Sequence, residues 1–334
     1  MRRLFYMGRN MEGIGTFKGF ASRYISGFWS TERVIKIDGS STVYPIFEEV
    51  AKEFQKAKRG TVKVIVGISR TGGGFATFCK GETDISNASM PIAKKEMGAC
   101  KECGIKYIEL PIAYDGIAVV VNAKNDFITA MTVADLKKIW ESSAERKVTR
   151  WTHVKPVWPD TPFNLYGPSL DSGTFDYFSQ AIVGKSGSIR RDFTAGATDN
   201  ELVQMIAADK DAFGFFGYAY YAKNKDKLAV VLINGGNGFL FPSEETVIDG
   251  KYQPLSRPVF IYVNKRSAER PEVKEFVEFY LRNAPKLVRR AKYIPLPDRA
   301  YKLAAERFAK GVTGTVFGGE VKVAMKMKEF LKLP

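Results

Sequence analysis

The sequence is poor in histidine, the side chain that most often carries acid–base chemistry near neutral pH. Among 334 residues only His153 is a histidine. A Ser–His–acid hydrolase would have to use it, with Ser172 of an Asp-Ser-Gly-Thr segment as the nucleophile, yet the residues around His153 form no catalytic signature. A phosphatase with a metal cluster of His and Asp ligands is also disfavoured. We therefore expect a binding protein with neither enzymatic activity nor a cofactor.

Cysteine is scarce as well, with three residues at Cys79, Cys100 and Cys103. The last two form a C-x-x-C pair, a pattern found in redox and zinc sites. Neither a second C-x-x-C pair nor a nearby histidine accompanies it, so the zinc interpretation is weak.

Long apolar runs are missing too, because no stretch approaches the ~20 residues of a membrane helix. The longest, such as Ile117–Val121, are typical of buried strands. Charge is unbalanced: 51 Lys and Arg against 36 Asp and Glu give a formal charge of +15. The basic residues are spread along the chain, without a zinc-finger spacing or an aromatic RNA-binding signature. We therefore expect no nucleic-acid partner, and the positive field suits an anionic ligand.

Residues 1–33 have a basic start but no continuous apolar segment, so they do not form a standard secretory signal. We expect an irregular N-terminal extension. An addition to the natural chain and a misplaced start are the alternatives.

From Val34 onward, segments typical of strands alternate with segments typical of helices, which predicts an α/β fold with mostly parallel sheets. The length of the chain suits two lobes. The pattern predicts separate strands at Ile105–Leu110 and Gly116–Asn122, and a further strong strand at Pro258–Val263.

A strand, a turn of Ser, Thr and Gly, and a helix follow one another in three places: Asp38–Pro45, Gly67–Gly74 and Tyr166–Thr174. Each places hydroxyls and backbone N–H groups at the positive end of a helix, where oxyanions bind. One such turn indicates only helix capping. Three in one chain favour a shared anion site.

These turns resemble those of the phosphate-binding proteins of high-affinity phosphate ABC transporters. Similar stretches run in matching order from about Val34 to near Gly319: Asp38–Pro45, Ser69–Gly74, Asp84–Ser89, Leu165–Phe178, Arg191–Thr194, Asp199-Asn200, Phe213–Tyr218 and Pro254–Pro258. The resemblance implies a two-lobed periplasmic-binding-protein fold with crossover strands and a ligand cleft between the lobes. Lobe 1 would comprise residues 34–114 and 259–334, and lobe 2 residues 115–258.

By motif position, the resemblance also implies a set of ligand contacts from the turns: Ser41, Thr42, Val43, Thr71, Gly72, Ser89, Ser172, Gly173 and Thr174. Better-known members have Asp, which accepts the proton of monohydrogen phosphate, where this chain has Ser89. Many close relatives have Arg where this chain has Met90, whereas Arg70 stands where Gly is usual. We expect that the cationic anchor has moved to Arg70, with Arg191 as a second anchor.

The function implied by the resemblance is extracytoplasmic binding of inorganic phosphate, in the periplasm or at the cell surface. The ligand would be delivered to the membrane permease subunits of an ABC importer by a monomeric protein. Binding of another oxyanion and phosphate sensing are the alternatives, and phosphate-ester hydrolysis is a weaker one. The resemblance further implies a disulfide between Cys79 and Cys103 that leaves Cys100 free, and disulfides suit an oxidising compartment.

Overall fold

The computed structural model describes residues 33–320, and within them strands and helices alternate as the sequence predicts. The strands are β1 (Arg33–Gly39), β2 (Val62–Val66), β3 (Ile85–Ala88), β4 (Tyr107–Asn122), β5 (Ala130–Thr132), β6 (Asn164–Pro168), β7 (Thr194–Gly196), β8 (Ala212–Gly217), β9 (Leu228–Val230), β10 (Leu232–Asn234), β11 (Phe239–Leu240) and β12 (Ser256–Asn264). The predicted extension 1–33 lies outside the described residues except for Arg33, which begins β1.

The helices of the same range are α1 (Tyr44–Ala57), α2 (Arg70–Cys79), α3 (Lys94–Glu102), α4 (Val133–Trp140), α5 (Trp151–Val154), α6 (Gly173–Val183), α7 (Asp199–Ala208), α8 (Tyr218–Ala222), α9 (Glu244–Ile248), α10 (Pro271–Arg290) and α11 (Asp298–Lys310). Short 3-10 turns occupy Ser142–Ala144 and Ser267–Glu269. Between residues 33 and 320, none of the helices has the length and apolar character that crossing a membrane requires.

The main sheet has nine strands in the order β2-β1-β3-β12-β4-β8-β6-β7, with β9 also paired to β4. It contains the same arrangement twice. On one side β2, β1 and β3 are parallel and β12 joins them antiparallel. On the other side β7, β6 and β8 are parallel and β4 joins them antiparallel. The α/β prediction is thus correct, but the expectation of mostly parallel pairing is wrong, because β4 and β12 make every pairing in which they take part antiparallel. The turns that follow β1, β3 and β6 lie at carboxyl ends of parallel strands, where ligands bind in α/β folds.

Strands β4 and β12 connect the two sides of the sheet. Residues Tyr107–Gly116 of β4 pair with β12, and the rest of β4 pairs with β8 and β9. The prediction of two separate strands here is wrong, because all sixteen residues of β4 are buried in one continuous strand. Pro111, which cannot donate to a ladder, is accommodated where the register shifts between Val259 and Phe260. The predicted lobe boundary at residues 114 and 115 falls inside β4 and stays a prediction.

The predicted disulfide is wrong in one partner: Cys79 is bonded to Cys100, with 4.3 Å between their Cα atoms. Cys100 lies on α3, fully buried in an apolar cluster with Phe75 and Phe78 of α2. Cys103 follows the last residue of α3 and is exposed with a free thiol. The orientation of α3 about its own axis thus places Cys100, and not Cys103, against Cys79. The spacing of cysteines along the chain does not predict this orientation.

Replacing Cys100 with Ser should therefore destabilise the protein, whereas replacing Cys103 should not. The two bonded cysteines are separated by 21 positions in the sequence. Closing a loop of this length stabilises the folded protein by about 3 kcal/mol, because it lowers the entropy of the unfolded chain. In denaturant titrations we expect Cys100→Ser to lower the free energy of unfolding by that amount and Cys103→Ser to change it by about 0.5 kcal/mol or less. Non-reducing peptide mapping of the unmodified protein checks the pairing directly, and a recovered Cys79–Cys103 peptide would contradict it.

Candidate functional site

The first of the predicted turns begins where β1 ends against β3. Gly39 has a φ of +135°, and a Cβ added there would stand 2.2 Å from the carbonyl oxygen of Asn87. Only glycine therefore permits this close approach. The Ser40 N–H then donates to the Asn87 carbonyl at 3.0 Å, and the Tyr44 N–H donates to the Ser40 carbonyl at 3.0 Å. This turn buries Thr42 at the start of α1.

The second turn is tied to the first by Asp38 at the end of β1. Its Oδ1 accepts from the Gly39 N–H at 2.8 Å, and its Oδ2 accepts from the Ser69 hydroxyl at 2.7 Å. Helix α2 begins immediately after Ser69 and carries Thr71. The Thr71 hydroxyl lies 3.1 Å from that of Ser89, the residue that follows β3. The turns after β2 and β3 therefore meet through a pair of buried hydroxyls.

The turn after β6 comes from the other side of the sheet and reaches the same place. Ser172 caps α6 by accepting from the Thr174 N–H at 3.1 Å. The Thr174 hydroxyl lies 2.9 Å from that of Thr42. A Cβ added to Gly173 would stand 2.4 Å from the Ser89 hydroxyl and 2.8 Å from that of Thr71. Glycine at 173 thus lets the turn after β6 approach the turns after β2 and β3. We call Thr42, Thr71, Ser89 and Thr174, which come from four turns, the hydroxyl cluster.

One charged residue holds the turn after β6 in place, and the sequence did not identify it as a site residue. Arg257 of β12 is 1% exposed and donates to the Gly173 carbonyl and the Thr174 hydroxyl, each at 2.7 Å. Its guanidinium also donates to Oδ2 of Asp115 on β4, at 3.0 and 3.2 Å. The stretch Pro254–Pro258 already belonged to the resemblance and was the signal for this residue. Arg257 lies about 80 residues from the turn that it holds, so local pattern did not identify its partner.

A second buried carboxyl stands beside this ion pair. Asp199, at the start of α7, is 3% exposed, and its Oδ2 has no hydrogen-bond partner among the described residues. Oδ2 of Asp199 and Oδ1 of Asp115 lie 3.6 and 3.5 Å from the point where a Cβ of Gly217 would stand, and the methyl group of Thr42 lies 3.5 Å from it. Burial, reinforced by the Asp115 carboxylate, raises the pKa of Asp199 to about 7. The motif Asp199-Asn200 was noted in the sequence without a role.

The structure therefore brings together most of the predicted site residues. The hydroxyl cluster and Gly173 are in mutual contact, and the remaining residues of the same turns flank them: Ser41, Val43 and Ser172 are buried. The Ser41 carbonyl accepts from the Tyr220 hydroxyl at 3.0 Å. Gly72 is exposed, with open space around it.

Arg70 lies at the edge of the cluster. Its side chain is one-third exposed and forms an ion pair with Asp171, the residue before Ser172. Its φ of +68° is in the left-handed region, which is costly for a residue with a Cβ and explains the usual glycine there. Met90 is buried and lines a cavity of about 340 Å³ that Thr71 and Asp171 also line. Relocation of the charge from position 90 to Arg70 stays a prediction.

The contacts of Arg191 are with residues outside the hydroxyl cluster. It is exposed, its guanidinium donates to the Gly187 carbonyl at 2.8 Å, and it stacks on Phe175 with 5.4 Å to the ring centre. Its role as a second anchor stays a prediction.

The hydrolase alternative finds no support in the geometry. The Ser172 hydroxyl accepts from the Thr174 N–H, while Nδ1 of His153 accepts from the Thr149 N–H at 3.2 Å and lies near Asp160. The two residues are therefore engaged with different partners. Across residues 33–320, the structure contains no group of three or more His, Cys, Asp or Glu side chains arranged to hold a metal ion.

Comparison with known proteins identifies the family of the chain. The model of a PBP superfamily domain matches residues 27–284. Protein SphX of Synechocystis sp. is 49% identical over 303 residues, which cover 90% of both chains. The phosphate-binding protein PstS of Staphylococcus saprophyticus is 38% identical over 272 residues, covering 81% of this chain and 82% of the relative.

Among solved structures, one described as a possible phosphate binding protein from Planctomyces limnophilus is similar with a TM-score of 0.63. It is 45% identical and covers 84% of this chain and 99% of its own. The predicted periplasmic-binding-protein fold is confirmed. The chain belongs to the PBP superfamily and, within it, to the family of phosphate-binding proteins that includes PstS and SphX.

Proposed function

We propose that this protein binds inorganic phosphate in the hydroxyl cluster and delivers it to the membrane permease subunits of an ABC importer. The observation that carries the proposal is the convergence of Thr42, Thr71, Ser89 and Thr174 from four separate turns, with the start of α6 in their midst. Hydroxyls and helix N-termini donate hydrogen bonds to an oxyanion without burying many full charges.

The two sides of the sheet each contribute to the cluster, which supports the predicted two-lobed organisation. Thr42, Thr71 and Ser89 follow strands of one side, and Thr174 follows β6 of the other. A ligand held by both sides would be enclosed in the cleft between the lobes. We propose residues 34–114 and 259–334 as lobe 1, and residues 115–258 as lobe 2.

The setting of the proposed function is extracytoplasmic, in the periplasm or at the cell surface, with the protein acting as a monomer. The Cys79–Cys100 disulfide supports the extracytoplasmic setting, because disulfides suit an oxidising compartment. We further propose that the protein binds its ligand without converting it.

Calorimetric titration with phosphate, arsenate and sulfate tests this function. We expect one molecule of phosphate to bind per chain, since the hydroxyls form a single cluster. We also expect no release of p-nitrophenol from p-nitrophenyl phosphate over the same protein concentrations. Tighter binding of sulfate than of phosphate would instead favour another oxyanion as the ligand, and turnover of the ester would contradict a pure binding role.

Replacing Arg70 with Ala tests the relocated anchor. A charge-assisted hydrogen bond contributes about 1.5–3 kcal/mol, so we expect the Kd for phosphate to rise roughly 10- to 100-fold. Arg59→Ala is the control. Arg59 is an exposed arginine that also has a positive φ, of +48°, and it follows the C-terminal end of α1, whereas the hydroxyl cluster lies at the N-terminal end of that helix. This control should bind phosphate as the parent does.

The same titration of Arg191→Ala tests the second predicted anchor. If Arg70→Ala and Arg191→Ala both bind phosphate as tightly as the parent, the charge has not been relocated. The site would then depend on hydroxyls and helix N-termini alone.

A further inference from the structure

The buried groups beside the hydroxyl cluster have an unequal number of positive and negative charges. Arg257 is the one guanidinium in this group, and it donates to Oδ2 of Asp115. Asp115 is 1% exposed and Asp199 3% exposed, and each has one carboxyl oxygen without a hydrogen-bond partner in the described part of the chain. Two buried carboxylates cannot both be balanced by one guanidinium, so one carboxyl is expected to hold a proton.

The geometry identifies Asp199 as that carboxyl. Burial raises the pKa of both carboxyls, but the ion pair with Arg257 opposes this rise at Asp115, whereas Oδ2 of Asp199 has no hydrogen-bond partner among the described residues. The other groups that face Asp199 are Tyr220 of α8 and Tyr293, whose hydroxyls donate to the carbonyls of Ser41 and Thr42. Burial, together with Asp199 and Asp115, raises the pKa of both tyrosines, so they stay neutral and offer no compensating charge.

An anion in the hydroxyl cluster would add negative charge next to this pair of carboxyls. With Asp199 ionised, the buried groups already have a net negative charge, which opposes the anion. With Asp199 protonated, Arg257 and Asp115 balance each other. The carboxyl of Asp199 has a pKa of about 7 without a ligand, and a nearby anion raises it further.

We infer that Asp199 carries a proton when an oxyanion occupies the hydroxyl cluster, so that binding takes up a proton from the buffer wherever Asp199 is ionised in the free protein. This inference rests on the proposed binding of phosphate. Asp199 acts on the ligand through its charge, and the inference requires no direct contact between Asp199 and the ligand. The affinity for phosphate is highest at pH values where Asp199 is already protonated in the free protein. It falls as the pH rises above about 7.

The test compares the parent with Asp199→Asn, which keeps the size of the side chain and cannot ionise. Phosphate binding is measured by calorimetry at pH 6 and pH 8, each in two buffers of different ionisation enthalpy. Ionisation of phosphate itself is common to both proteins and cancels in the comparison. At pH 8 we expect the parent to take up as much as one proton more per site than the variant. Its affinity relative to the variant should fall by up to about tenfold per pH unit above 7.

Asp226→Asn is the control, because Asp226 is an exposed aspartate beyond α8 and its loss changes the net charge equally. It should bind phosphate with the proton uptake of the parent. Equal uptake in the parent and in Asp199→Asn overturns the inference while leaving phosphate binding intact. Absence of phosphate binding by the parent at pH 6 would instead overturn the proposed function and this inference with it.

Thermal unfolding without ligand provides a second measurement. Between the unfolded pKa of about 4 and the folded pKa of about 7, the folded protein binds more protons at Asp199, so stability decreases with rising pH in this window. The melting temperature of Asp199→Asn minus that of the parent should therefore increase from pH 4.5 to pH 7.5. A constant difference contradicts the inference. If Asp199→Asn does not fold, isotope-edited infrared spectroscopy of the phosphate-bound parent at pH 8 decides, since a protonated aspartate band is expected and its absence excludes the proposal.

Discussion

The buried ion pair between Arg257 and Asp115 is the interaction on which the site depends. It joins the two strands that connect the sides of the sheet, and through Arg257 it fixes both Gly173 and Thr174 at the start of α6. Removal of one partner from such a pair leaves an uncompensated buried charge, which costs about 3–5 kcal/mol. The position of the turn after β6 is therefore set by residues that are distant in sequence and close in the sheet.

Around this pair, the site is built from neutral donors. The hydroxyls of Thr42 and Thr174 bond to each other, as do those of Thr71 and Ser89, so their burial is compensated within the protein. An oxyanion can take over these donors without the desolvation of several full charges. Arg70 is the exception and stays at the rim, one-third exposed and paired with Asp171, where its charge remains partly hydrated.

The features that sequence predicted well are local ones. A strand, a Ser/Thr/Gly turn and a helix follow each other within about ten residues, so composition alone identified the turns that contain Thr42, Thr71 and Thr174. Features that depend on packing were missed. The choice of Cys100 over Cys103 depends on how α3 is rotated against α2, and the continuity of β4 depends on its pairing with β12 across Pro111. Arg257 and Asp199 were missed as site residues because their partners lie on other elements.

The residue at position 89 and the buried carboxyl of Asp199 both affect the balance of buried charges around Arg257. Ser89 is 1% exposed and lies against Thr71 and Gly173, so a carboxylate there would be the third buried acid near a single guanidinium. Arg257 already donates to Asp115, and Oδ2 of Asp199 has no hydrogen-bond partner among the described residues. A further carboxylate would face an unfavourable charge balance unless it, too, held a proton. A neutral hydroxyl at 89 avoids this cost, and Asp199, whose pKa burial raises to about 7, lies behind Thr42, beyond the hydroxyls themselves.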